Sequence, residues 1–149
     1  MMFNKNSEIQ VIQGEIFTDR RGKISSLNDF RFGDVQRLYL IHHPDKEVIR
    51  GWHGHQFEKK YFYCVKGTFT LAFVKIDDWE NPSKELIPEI FTLTEQSSKI
   101  ICLPEGYANC VKAGEKDSVL MVFSNKILSE ALGDSWRYDA DLWMDWSKY

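Results

Sequence analysis

The feature that most constrains this chain is a recurrence of short apolar or alternating segments, each closed by a turn signal. EIFTD precedes RRGK, VQRLYLIHH precedes PDK, YFYCV precedes KG, and TFTLAFVKI precedes DDWENPSK. EIFTL before TEQSS, KIICL before PEG, and SVLMVFS further on continue the series. Segments of this length, rich in Val, Ile, Phe and Tyr, suit strands better than buried helices. Their regular spacing predicts an antiparallel all-β sandwich or barrel. Helical character is confined to SEALGDSW and DADLWMDW, each room for about one turn. With no linker, repeat or low-complexity stretch between the segments, residues 1–149 are read as a single domain.

A hydrophobic fraction of 43%, with 14% aromatic, supplies a packed core and argues against disorder. The net charge is −3 and no block of like charges occurs, so the chain lacks the electrostatic footprint of a partner for nucleic acid or anionic membrane. The opening MMFNKNSEIQ has no apolar leader core, and no apolar run is long enough to span a bilayer. A cytoplasmic protein whose partner is a small molecule or another copy of itself is the expectation. Cys64, Cys102 and Cys110 include no C-x-x-C pair, and they are expected to be reduced and buried.

The stretch RGWHGHQFEKKYFYCVKG, Arg50 to Gly67, concentrates polar chemistry. On an extended strand residues i and i+2 share a face, so His53 and His55 point the same way. By the same parity Lys60, Phe62 and Cys64 form one row, and Arg37, Tyr39 and Ile41 another. A pocket formed by Tyr39, His53, His55 and Lys60 is geometrically possible. The stretch resembles the first motif of cupins, in which H-x-H and a glutamate precede glycine and bind a metal. Counting back from Gly67, however, places Lys60 at the glutamate position. The second cupin motif, P-x-G-x-x-H, reads Pro104 to Asn109 here, with Asn109 in place of histidine. An ammonium has no lone pair to give and repels a cation, so a metal-free site is expected, with Glu58 the one nearby carboxylate that could rescue a metal. His is suited to abstract a proton beside a ketone, and Lys60 to stabilise the resulting enolate.

DRRG (Asp19 to Gly22), IRGWH (Ile49 to His53), Lys60, LPEGYA (Leu103 to Ala108) and DADLWMDW (Asp139 to Trp146) follow one another in an order that resembles dTDP-4-dehydrorhamnose 3,5-epimerases. These are cupin-fold enzymes acting on nucleotide-linked 4-keto-6-deoxysugars without metal. The resemblance implies a cupin-type double-stranded β-helix (jelly roll), no cofactor, and a homodimer whose partner strand completes the site. It implies His53 as base, Lys60 as the enolate's cation, and Arg21 and Arg50 on the nucleotide diphosphate. Arg37 and Asn109 are further candidate substrate contacts. Three departures from the epimerase pattern stand out: Asn109 replaces a histidine, Met121 lies where an acid tyrosine is expected, and the aspartate partner of the base has no counterpart. The R-G-x-H-x-H pattern with Tyr39 on the preceding strand is similar to the dTDP-4-keto-6-deoxyglucose 3,4-ketoisomerases. That resemblance implies a proton shuttle through His53, His55 and Tyr39. A cupin that binds the sugar nucleotide without turning it over is the expectation from a different class.

Overall fold

The computed structural model describes residues 7–149. Its strands are β1 (Gln10–Gln13), β2 (Glu15–Asp19), β3 (Gly22–Ser26), β4 (Arg37–His43), β5 (Ile49–His55) and β6 (Lys60–Lys66). They continue with β7 (Thr68–Lys75), β8 (Glu89–Thr94), β9 (Lys99–Leu103), β10 (Tyr107–Ala113), β11 (Ser118–Ser124) and β12 (Trp136–Arg137). A single-turn helix α1 (Leu128–Leu132) and a closing 3-10 turn (Trp146–Lys148) fall within or beside the two segments expected to contain helical turns.

The strands form two five-stranded antiparallel sheets, ordered β1-β9-β6-β11-β4 and β12-β5-β10-β7-β8. From β4 to β11 successive strands alternate between the sheets in the jelly-roll manner, except that β7 and β8 pair as neighbours in the second sheet, so the expected all-β jelly roll is the observed architecture. The core lies between the sheets, where Phe62, Phe69, Leu71, Phe73, Leu93 and Leu120 are buried. Alternation explains the placement: along β6, Lys60, Phe62 and Cys64 point in, while along β4 Leu38 and Leu40 stay exposed.

Both outer faces are also covered. Phe30 and the loop around it pack on Ile100 and Phe123 outside the first sheet. Outside the second sheet the C-terminal segment lays Trp143, Met144 and Trp146 over Trp52. The Ala140 carbonyl accepts from the indole N–H of both Trp52 (3.0 Å) and Trp146 (3.1 Å), so these tryptophans are core residues. Double burial is also why β10 escapes a reading based on alternation. In YANCVKA only Lys112 is not buried, so its pattern has no polar face.

Cys64 and Cys110 are buried as expected, but Cys102 is only half-buried, because its side chain faces the loop-covered outer layer. Burial raises the Cys64 and Cys110 thiols to about 12 and Cys102 to about 11, which keeps all three protonated and unreactive. Strands β2 and β3 form a separate hairpin that joins neither large sheet, with Phe17 and Ile24 exposed on it. No helix among the described residues is long and apolar enough to cross a membrane.

Candidate active site

A cavity of about 660 Å³ opens between the sheets, lined by β4, β5, β6, β10 and the segment following β11. That volume lies within the range that holds a drug-sized ligand. His53, His55, Lys60, Tyr39, Arg37, Arg50 and Asn109 all line it. Arg21 does not. It sits at the tip of the β2–β3 hairpin, exposed and paired with Asp19 at 2.6 Å.

A bulge brings Arg50 and His53 to one wall despite their odd spacing. Asn109 pairs with His53 but Cys110 pairs with Gly51, leaving Trp52 as the extra residue of β5. Residues on either side of it therefore share a face although three positions separate them, while Trp52 itself turns to the outer layer. Gly51 makes the bulge possible: its φ is +131°, and a Cβ there would lie 2.5 Å from the Asn109 carbonyl oxygen. The Asn109 side chain closes the arrangement by donating Nδ2–H to the His53 carbonyl at 3.1 Å. Its role here is to brace β5 while its flank faces the cavity.

Glu58 is the buried acid of the site. Its Oε2 accepts from Arg37 Nη2 at 2.9 Å and from the Ser124 hydroxyl. Its Oε1 has no hydrogen bond, and lies 3.2 Å from His55 Nδ1 and 3.9 Å from Lys60 Nζ. Lys60 is 5% exposed, and burial lowers its ammonium to about 8, with Glu58 opposing the shift. Tyr39 stands between Arg37, whose guanidinium carbon is 4.8 Å from the ring centre, and Lys60 at 5.9 Å. Burial first, then the charge of Glu58, raises the phenol to about 12, so it stays protonated.

The two histidine rings lie 4.2 Å apart, centre to centre. Burial lowers His53 to about 3, with His55 and Lys60 adding repulsion, and burial with Lys60 lowers His55 to about 4. Both rings are neutral near pH 7 and available as bases. His55 Nδ1 lies 2.6 Å from the Asp134 carbonyl oxygen. A carbonyl only accepts, so this nitrogen carries the proton and Nε2, buried without a partner, keeps its lone pair. His53 Nε2 meets the Ser135 hydroxyl at 2.8 Å.

The sequence reading missed Asp134, Ser135, Ser124 and Arg137. Arg137 enters the cavity because the two-residue strand β12 pairs with β5, setting it opposite His53. A strand so short carries no pattern of its own, and its partner lies far back in the chain. The segment Asp134–Arg137 also supplies the histidines with neighbours. Met121 packs in the outer layer, so a side chain at that position does not face the cavity. Among the described residues no group of three or more His, Cys, Asp or Glu is placed to hold a metal. Glu58, the one candidate rescuer, has Oε2 bonded to Arg37 and Ser124 and turns Oε1 toward the Lys60 ammonium.

The cavity's charge is lopsided. Arg37, Arg50, Lys60 and Arg137 line it, with Glu58 as the single lining acid, in a chain whose net charge is −3. Arg50 and Arg137 enter no ion pair among the described residues. Such a site favours an anionic ligand, and free guanidinium groups suit phosphate oxygens.

The structure is similar to the sugar 3,4-ketoisomerase QdtA of Thermoanaerobacterium thermosaccharolyticum, solved with TDP, at TM-score 0.69 and 21% identity over 92% of this chain and 93% of that one. It is similar to the RmlC epimerase of Mycobacterium tuberculosis at TM-score 0.75 and 22% identity, covering 95% and 76%. A dTDP-4-dehydrorhamnose 3,5-epimerase of Bacillus anthracis, with TDP and PPi bound, aligns at TM-score 0.77 and 12% identity over 97% and 88%. These likenesses establish the cupin-type fold shared with nucleotide-sugar isomerases. No curated protein sequence matches the chain. Residues 6–137 match the family model described as FdtA: WxcM-like, C-terminal, and the chain belongs to that family.

Proposed function

We propose that this protein isomerises a nucleotide-diphosphate-linked 4-keto-6-deoxyhexose, acting at the carbon beside the C4 ketone without a metal. The observation that carries the reading is the pair of neutral, contacting histidines beside Lys60 in a cavity rich in cations. Arg50 and Arg137 hold the diphosphate, and the histidines face the sugar. One histidine removes the C3 proton, and the electron pair moves to O4, where Lys60 steadies the negative charge. The resulting enediolate carries a hydroxyl at C3 and an oxyanion at C4. Transfer of the C3 hydroxyl proton to O4, with delivery of a proton to carbon C4, gives the 3-ketone and a C4 hydroxyl.

Of the two outcomes the residues allow, the histidine pair favours 3,4-ketoisomerisation over the epimerisation placed first from sequence. A shift between adjacent carbons needs bases close together, and rings 4.2 Å apart meet that need. Epimerisation at C3 is the second reading, with the protonated Tyr39 returning the proton. Incubation with dTDP-4-keto-6-deoxyglucose and analysis of the sugar by NMR tests both. A 3-keto product supports the first reading and a C3 epimer the second. Ligand-induced thermal stabilisation without any new sugar supports the binding-only alternative.

A homodimer belongs to the same proposal. The hairpin β2–β3 stands apart from the sheets, and β4 is an edge strand exposing Leu38 and Leu40. Seating the hairpin of a second copy there covers these residues and carries its Arg21 toward the phosphate site. Light scattering that gives a monomer mass at micromolar concentration contradicts it.

A further inference from the structure

The two histidines are anchored by neighbouring residues of one segment, but through different ring nitrogens. His55 Nδ1–H donates to the main-chain carbonyl of Asp134 at 2.6 Å, and Ser135 meets His53 at Nε2, 2.8 Å away. Asp134 is itself fixed. Its carboxylate is buried and accepts the backbone N–H groups of Gln56 (2.7 Å), Phe57 (2.8 Å) and Glu58 (3.0 Å), tying the segment to the turn that follows His55. On the far side, β12 pairs with β5 at Gly54 and His53, so the segment is held at both ends.

We infer that Asp134 and Ser135 are positioning residues that fix the two histidines by opposite nitrogens, leaving His55 Nε2 and His53 Nδ1 for proton transfer. This rests on the reading of the cavity as an isomerase site. The orphaned Nε2 of His55 is what such a device produces: a buried lone pair kept free of protein partners. A proton held on Nδ1 cannot migrate to Nε2 without giving up the carbonyl, so the reactive nitrogen is chosen before substrate arrives. Ser135 does the corresponding work for His53 with a group that either donates or accepts. That ring can then exchange its proton through Nδ1 while Nε2 adjusts against the hydroxyl. Two bases with one fixed and one adjustable proton suit a reaction in which a proton is taken at one carbon and delivered at the next.

The test uses the full chain and two readouts. The first is a long-range nitrogen–proton NMR spectrum of the histidine rings, without substrate. His55 is expected in the Nδ1–H form, and Ser135→Ala is expected to move the His53 ring signals while leaving those of His55 in place. The second is kinetics with dTDP-4-keto-6-deoxyglucose. Ser135→Ala is expected to lower kcat about 10- to 100-fold with little change in KM, and Ser135→Thr, which keeps the hydroxyl, to restore it. His55 found in the Nε2–H form overturns the inference. So does a Ser135→Ala protein with unaltered His53 signals, or one with unaltered kcat. Asp134→Asn adds an independent check on His55 if it folds, and the Ser135 variants decide the matter if it does not. Failure of the wild-type protein to turn over sinks the isomerase reading alone, because the ring spectrum still decides how the histidines are held.

Discussion

Arg37 and Glu58 form a 2.9 Å ion pair whose carboxylate is wholly buried. The pair sets the charge balance of the cavity. Glu58 turns its other oxygen toward the neutral His55 and toward Lys60, so one acid offsets two cations, Arg37 and Lys60. Arg37 is thereby committed to the protein, leaving Arg50 and Arg137 as the free guanidinium groups.

Glu58→Gln is expected to destabilise the fold by about 3 kcal/mol, because breaking a buried pair leaves an uncompensated guanidinium and an isolated ammonium. Urea unfolding at pH 7 measures it. An unchanged midpoint would mean that Arg37 finds equivalent partners elsewhere.

Lys60 serves the proposed reaction only while protonated, and burial lowers its ammonium to about 8. The rate is therefore expected to fall as pH rises through about 8. Since Glu58 supports the charged form, Glu58→Gln moves this fall to lower pH. Lys60→Met, which removes the charge, is expected to cost about 100-fold or more in kcat, the scale seen for loss of one oxyanion-stabilising donor. A pH–rate profile of kcat that stays flat to pH 10 contradicts the assignment.

Acid stability follows from the histidines. Their native values of about 3 and about 4 lie below the ordinary 6.5, so below that pH the unfolded chain binds protons that the native state refuses. Stability is full above pH 6.5 and declines as pH falls toward 4. Replacing both with glutamine is expected to remove roughly two protons' worth of slope from the plot of unfolding free energy against pH in that window. Identical slopes in the two proteins would show that the rings are not held neutral.

Gly51→Ala tests the bulge. With φ at +131° and the Asn109 oxygen 2.5 Å from where a Cβ would stand, alanine forces β5 away from β10. A loss of about 2 kcal/mol or more in stability is expected, together with weakened nucleotide binding as Arg50 and His53 lose their common wall. Wild-type stability and binding in this variant would refute the argument for that wall.

Much of this arrangement was legible in the sequence because it depends on local parity. Period two along β4 places Arg37, Tyr39 and Ile41 inward, and the same rule puts His53 beside His55. What stayed hidden depends on distant partners. β10 is buried on both faces and loses its alternation, and Asp134 finds His55 across 79 residues of chain. Arg137 reaches the cavity through a strand of two residues that exists only because β5 offers its edge. Parity alone sets Arg50 on the opposite face from His53, and only the extra residue at Trp52 reverses this.

The most direct measurement is solvent exchange during incubation with dTDP-4-keto-6-deoxyglucose in deuterated water, followed by NMR of the sugar. Proton removal beside the ketone predicts loss of the original C3 proton signal, with deuterium appearing at ring positions of recovered substrate or product. The exchange should be abolished in the double variant His53→Asn/His55→Asn. Retention of the C3 proton with no new sugar formed, or undiminished exchange in the double variant, would contradict proton transfer by these histidines.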